Sequence, residues 1–220
     1  CNPLTKDFSE HNHNVHTICY GVDIDAFDPT SKKDELTRAV IETYARNEKP
    51  VIGYVGGLHQ QVDFELLKQC ALSRPDWNWV FVGPIQENIA ELESLPNTFF
   101  LGQQPHSQLV HFIDSFDVCL IPYLDNDFTQ TVVPVKLNEY LAVGKPVVST
   151  NIPIISEFES RHPMISICEH NTADFLSAIE KNLATEQTKE MKLLRRAIAS
   201  RYEWQLQLEK ICHEIEKVST

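Results

Sequence analysis

A doubly wound α/β fold on a parallel sheet is predicted by three observations. From Val51 onwards, short apolar runs alternate with helical patterns of about ten residues. The runs are continuously apolar, as expected of strands buried on both faces. Several of them end at glycine or proline, at Gly56, Gly83, Gly102 and Pro122.

Taken in order, Asp34–Arg46 reads as a helix after a polar lead-in. Val51–Val55 is the first strand and Asp63–Leu72 the helix that follows it. Trp77–Val82 and Asn97–Leu101 are the next strands. His106–Ser115 has helical spacing, with Ser107 as its N-cap. Val118–Ile121 is a strand. Pro134–Val143 is a helix, with Pro134 in its first turn and Gly144 beyond its end. Pro146–Ser149 and Met164–Cys168 complete the strands. Helical patterns at Thr172–Leu183, Glu186–Arg201 and Glu203–Val218 exceed what the sheet needs.

The chain has 220 residues, enough for one substantial core, with 31 acidic and 19 basic side chains and a formal charge of −12. Such a balance repels phosphate backbones, so nucleic acid is not expected as a partner. The six cysteines, Cys1, Cys19, Cys70, Cys119, Cys168 and Cys212, form no CxxC pair and are read as free thiols. No apolar run reaches about 18 residues, so no membrane-spanning helix is expected. Position 1 is Cys, and the chain is expected to be a fragment of a longer one.

In an open parallel sheet, ligands bind beyond the carboxyl ends of the strands where strand order reverses. With the order 3-2-1-4-5-6, the strands at Val51 and Val118 are neighbours at that point. Two loops then converge, Gly56 to Gln61 and Tyr123 to Val133. Gly56 and Gly57 let backbone approach a ligand, and the helix near Asp63 would aim its N-terminus at an anion. Thr129, Gln130 and Thr131 supply polar groups ahead of the Pro134 helix. Lys136 and Glu139 share a face of that helix. They form either a surface ion pair or a site, with the lysine on a phosphate and the glutamate on ribose hydroxyls. His59 is either a solvated loop residue or a phosphate ligand or general base. His11, His13 and His16 lack the spacing of a metal site, and no metal is assigned.

The segment PVKLNEYLAVGKPVVST at 134–150 closely resembles the nucleotide-sugar-binding segment of GT-B-fold glycosyltransferases. VIGYVGGLHQQVDFELL, WNWVFVGP, LPNTFFLGQQPHSQL and DVCLIPYLDND resemble the same family in the same order. VHTICYGVDIDAF is similar to its interdomain linker, with Tyr20 where asparagine is common. Tyr202-Glu203-Trp204 is similar to the start of its last helix. The resemblance covers about residues 15–215. It is nearest to group 1, family-4-like transferases of the exopolysaccharide and teichuronic-acid type.

The resemblance implies a Rossmann-like C-terminal, donor-binding domain with extra C-terminal helices. Its divisions would be a linker and lead-in helix at 1–50, a nucleotide-sugar-binding domain at 51–201 and a crossover helix at 202–220. Glu139 falls on the glutamate that holds the donor ribose, and Lys136 on a diphosphate-contacting lysine. Gly56 and Gly57 fall on the loop under the diphosphate, Gln104 where backbone meets the nucleobase, and Thr131 and Val132 beside the diphosphate. The family's paired glutamates are not both present: Thr131 stands at the first position. Gly57, His59 and Gln60 replace its usual Gly-Arg…Lys clamp.

The implied function is transfer of a sugar from a nucleoside-diphosphate sugar, UDP before GDP, to a glycan or lipid-linked acceptor in surface polysaccharide synthesis. No further cofactor is implied. The partner would be an N-terminal GT-B domain, and the place the cytoplasm, peripheral at the inner face of the membrane through that domain. No catalytic base is assigned, with His59 the one candidate in this half. A nucleotide-sugar 2-epimerase and a non-catalytic nucleotide-sugar-binding module are the alternatives on the same fold.

Overall fold

The structure is a computed structural model that describes residues 2–45 and 48–218. Cys1 and Arg46, read above as a free thiol and a helix end, lie outside the described residues. Six strands form one parallel sheet: β1 (Val51–Val55), β2 (Asn78–Val82), β3 (Thr98–Phe100), β4 (Val118–Ile121), β5 (Val147–Thr150) and β6 (Ile165–Cys168). The order is β3-β2-β1-β4-β5-β6, so the reversal falls between β1 and β4 as expected. Every residue of β1, β2, β4 and β5 is buried, which is why their sequences are almost wholly apolar, with Asn78, Ser149 and Thr150 the polar exceptions.

Helices cover both faces. Ten α-helices are described: α1 (Asn2–Ser9), α2 (Glu35–Ala45), α3 (Phe64–Ser73), α4 (Ala90–Glu93), α5 (Leu109–Asp114), α6 (Lys136–Ala142), α7 (Pro153–Arg161), α8 (Thr172–Ala184), α9 (Lys189–Ala199) and α10 (Trp204–Val218). Right-handed crossovers put α3 and α4 on one face and α5, α6 and α7 on the other. α8 returns to the first face and packs on α3, while α2 packs on α5 and α9 on α6.

Polar groups that enter the core are bonded there. Asn97 Nδ2 donates to the carbonyls of Ala71 (3.0 Å) and Trp77 (3.2 Å), fixing the α3–β2 turn. Asp117 Oδ2 accepts the Val51 amide at 2.7 Å, tying β4 to the start of β1.

Three expectations need correction. α1 lies in the stretch read as a polar lead-in, where no helix was expected before Asp34. α4 and α7 were not anticipated, α4 because it is one turn long, α7 because Pro153 opens it after a loop. Ser107 is no N-cap: it sits inside a 3-10 turn, His106–Gln108, that precedes α5.

The lead-in is stitched to the sheet domain. Val22 pairs with Glu203 in a parallel bridge, with Val22 N–H donating to Tyr202 O at 2.9 Å. Val22, Ile24 and Phe27 are buried in the core. Among the described residues no helix is long and apolar enough to cross a membrane. Cys70, Cys119 and Cys168 are buried free thiols, and Cys19 and Cys212 exposed ones.

Candidate functional site

Two loops meet at the carboxyl ends of β1 and β4. They are cross-linked by backbone and side chain. Asp63 N–H donates to Pro122 O at 2.8 Å, Leu124 N–H to Gln61 O at 2.9 Å, and Asn126 Nδ2 to Gln61 Oε1 at 2.9 Å. The buried Thr129 hydroxyl donates to Leu124 O at 2.6 Å and accepts the Asn126 amide at 3.0 Å. Thr129 therefore builds the loop, and its polar group is not offered to a ligand. Gln130 is exposed and donates to Asp125 at 2.6 Å, and Thr131 back-bonds to Phe128 O at 3.1 Å.

The α3 N-terminus is likewise closed. Asp63 is its N-cap, accepting the Leu66 amide at 2.9 Å, so its own carboxylate occupies the place expected for an external anion.

Beyond the strands lies a cavity of about 340 Å³ lined by Gly56, Tyr123, Val132, Pro134, Lys136 and Glu139 among others. Gly56 has φ +139°, a conformation that suits glycine. A Cβ there would also stand 2.9 Å from Lys136 Cε. The next loop backs it: a Cβ on Gly83, at φ +147°, would fall 2.0 Å from Gly56 O. Gly83 N–H in turn donates to Gly102 O at 2.8 Å, which brings the loop carrying Gln104 alongside. Gln104 does not line the cavity; its side chain donates to Leu101 O at 2.6 Å.

Lys136 is the chemical centre of this cavity. It is only 9% exposed. Its ammonium bonds the Tyr123 hydroxyl and stands 4.8 Å from the ring centroids of both Tyr54 and Tyr123. Among the described residues this is its only hydrogen bond, so two of three N–H donors are unused. A buried ammonium with no carboxylate against it is costly, and an anion placed in the cavity would offset that cost. The expected alternative, a surface pair with Glu139, is not formed.

Glu139 is half-buried one turn further along α6. Burial pushes its carboxyl above the usual range, while His106 and Lys136 oppose that shift. His59 is half-buried; burial first, and Lys136 second, hold its pKa below the ordinary imidazole value. Its Nδ1 accepts the Gln61 amide at 3.2 Å, which leaves Nε2 as the ring's donor. Gly57 keeps its carbonyl fixed by the Tyr54 hydroxyl at 2.8 Å. His16, from the lead-in histidines, lies 3.2 Å from Glu214 instead.

The structure thus brings Gly56, Val132, Lys136 and Glu139 to one cavity, with Gly57 and His59 on the adjoining loop. Three residues were missed by sequence reasoning. Tyr54 and Tyr123 frame the ammonium, and His106 stands near Glu139. Tyr54 was hidden in an apolar strand; the signal available was a tyrosine at the last position but one before a glycine turn.

The sequence pattern described as "Glycosyl transferases group 1" matches residues 49–185. TuaH of Bacillus subtilis (strain 168), whose name assigns it as a glycosyltransferase to teichuronic acid biosynthesis, is 32% identical over 205 residues. That alignment covers 91% of this chain and 50% of TuaH, so the chain spans about half the length of its curated relative. Among solved structures, a Rickettsia africae glycosyltransferase superposes with TM-score 0.77 at 19% identity, over 99% of this chain and 62% of that one. Anabaena HepE in complex with UDP gives TM-score 0.68 at 16% identity, over 92% of this chain and 57% of that one. These structures share the fold, and the sequence match carries the kinship: this chain belongs to the group 1 glycosyl transferases.

Proposed function

We propose that this chain is the donor-binding half of a glycosyltransferase and that its cavity holds the nucleoside diphosphate of a sugar donor. The observation that carries the reading is the buried Lys136 ammonium, short of two hydrogen-bond partners and facing the Gly56 backbone. UDP is the expected nucleotide, in keeping with HepE, which was solved with UDP.

In the reaction, the bond between the sugar's anomeric carbon and the diphosphate oxygen breaks. The diphosphate leaves with the electron pair. An acceptor hydroxyl oxygen bonds the same carbon, and its proton passes to the departing diphosphate or to water. Lys136 stabilises the charge that grows on the leaving diphosphate, an effect that counts for more in a water-poor site. Glu139 accepts hydrogen bonds from the ribose hydroxyls, and Gly56 and Gly57 give the phosphates room. The adjoining loops with Thr131, Val132, Gln104 and His59 complete the site.

Residues 51–201 would form the nucleotide-sugar domain, 1–50 the link to an acceptor-binding N-terminal domain, and 202–220 the crossover helix. The acceptor would be a glycan or lipid-linked glycan of a surface polysaccharide, the class of product that TuaH is named for. The site of action would be the cytoplasm, at the inner face of the membrane.

Calorimetric titration with UDP, GDP, ADP and dTDP tests the reading. Selective binding of one nucleotide, weakened at least about tenfold in both Lys136→Ala and Glu139→Ala, is the expected result. Equal binding by wild type and both variants would overturn it.

A further inference from the structure

The Lys136 ammonium could reach several directions from α6, since its stem has four rotatable bonds. In this structure one contact chooses among them. Tyr123 accepts a hydrogen bond from Nζ and lays its ring beside the ammonium, with the Tyr54 ring also at 4.8 Å.

Tyr123 is unusually well fixed for a residue in a loop. It is 5% exposed and follows Pro122 directly after β4. Its amide donates to Thr150 Oγ1 at 3.0 Å, and its carbonyl accepts from the same hydroxyl at 2.7 Å. Val62 pairs with it in an antiparallel bridge. The backbone of Tyr123 is thus clamped between β5 and the β1 loop, and the phenol inherits that position.

Tyr54 works on the other wall. Its hydroxyl donates to Gly57 O at 2.8 Å. Burial and the neighbouring Tyr123 phenol push it far above the ordinary tyrosine range, so it remains a donor at any working pH. The ammonium and the Gly56-Gly57 loop are therefore held by two adjacent phenols.

We propose that Tyr123 is a positioning residue that fixes the Lys136 ammonium for the terminal phosphate, and so sets the preference for a nucleoside diphosphate over a monophosphate. The inference rests on the donor-site reading above and adds to it the group that aims the lysine. Tyr123 touches Lys136 and need not touch the donor.

Tyr123→Phe tests this, because it keeps the ring and the cation–π contact and removes only the acceptor oxygen. UDP and UMP, with GDP and GMP as a second pair, are titrated into wild type, Tyr123→Phe and Lys136→Ala. Wild type should prefer the diphosphate. Tyr123→Phe should lose about tenfold in diphosphate affinity, with monophosphate affinity within about twofold of wild type. Its melting temperature should stay within about 3 °C. Lys136→Ala should abolish the preference.

If Tyr123→Phe keeps the full preference while Lys136→Ala loses it, the positioning role is overturned and the donor site stands. If wild type shows no preference, or Lys136→Ala retains it, the donor-site reading fails and this inference with it. Equal loss for both nucleotides in Tyr123→Phe marks a merely structural role and also overturns it. Should Tyr123→Phe fail to fold, ¹⁵N-lysine spectra of the wild-type protein decide. A Lys136 ammonium signal that sharpens and shifts with UDP but not UMP is expected; identical responses to both would refute the proposal.

Discussion

Lys136 and Glu139 lie one turn apart on α6, yet the lysine turns its ammonium to Tyr123 and forms no ion pair with the glutamate. Both charges face one cavity and neither neutralises the other at contact distance. Glu139→Gln should therefore raise stability while it weakens nucleotide binding. The Glu139 carboxyl is pushed above its ordinary 4.5 by burial, so the folded state prefers the protonated form. That preference contributes stability below pH 4.5 and is lost as pH rises through the higher folded value. The gain from glutamine is thus largest near neutral pH and vanishes in acid. An increase of about 2–4 °C in melting temperature at pH 7.5 is expected, with none at pH 4. A variant that melts below wild type at pH 7.5 would refute this.

Gly56 and Gly83 are stacked at the mouth of the site, and their substitutions should rank in a definite order. At Gly56 a Cβ meets a movable lysine stem at 2.9 Å, whereas at Gly83 it meets the Gly56 carbonyl at 2.0 Å. Both also carry a positive φ, at +139° and +147°. Gly56→Ala should cost about 1–3 kcal/mol, with nucleotide affinity falling further than stability. Gly83→Ala should cost more, because backbone must move. Urea denaturation of both variants checks the order.

The strands and the Lys136–Glu139 face were legible because both follow from periodicity, and the sheet order because it is the common one for a doubly wound fold. Unbroken apolar runs mark strands buried on both faces, and a spacing of three marks one side of a helix. The surroundings of Lys136 were not legible. Tyr54 is the last residue but one of β1 and Tyr123 follows β4 by two residues, and they meet only because β1 and β4 are neighbours across the reversal. The Asp63 cap misled for a different reason. An acidic residue ahead of a helix closes the N-terminus that an anion would otherwise use, and the sequence pattern alone does not say which. Thr129 looked like a ligand because it is polar and precedes the helix; burial made it a loop brace.

His59 gives the site a pH dependence of its own. Burial, then Lys136, lowers its pKa from 6.5, so the folded state prefers the neutral ring. The stability this contributes is present above pH 6.5 and is lost as pH falls through the lower folded value. Wild type should therefore lose more melting temperature than His59→Gln between pH 7.5 and about 5.5. A diphosphate bound beside Lys136 would offset the lysine's field and raise the His59 pKa. UDP binding near pH 6 should then take up protons, measured by calorimetry in two buffers of different ionisation enthalpy. Uptake unchanged in His59→Gln would assign the proton elsewhere.

One side chain of α9 adds a further anchor to the lead-in. Arg196 donates from Nη1 to Ala142 O at 2.9 Å and Phe27 O at 3.2 Å, and from Nη2 to Ile24 O at 3.0 Å. It thereby ties the segment before α2 to the end of α6, the helix that carries Lys136 and Glu139. Charge-assisted bonds are worth about 1.5–3 kcal/mol each, but these three are only part-buried and water replaces some of what is lost. Arg196→Met, which keeps the apolar stem, should cost about 3 kcal/mol, or roughly 6–12 °C. Arg196→Lys should fall between, since one ammonium does not reproduce the fork that reaches three carbonyls. Hydrogen exchange distinguishes a local tether from a general loss of stability. In Arg196→Met, amides of residues 21–28 should exchange well before those of β1. If both segments accelerate together, Arg196 stabilises the domain as a whole, and the Val22–Glu203 bridge with the buried Val22, Ile24 and Phe27 is enough to hold the lead-in.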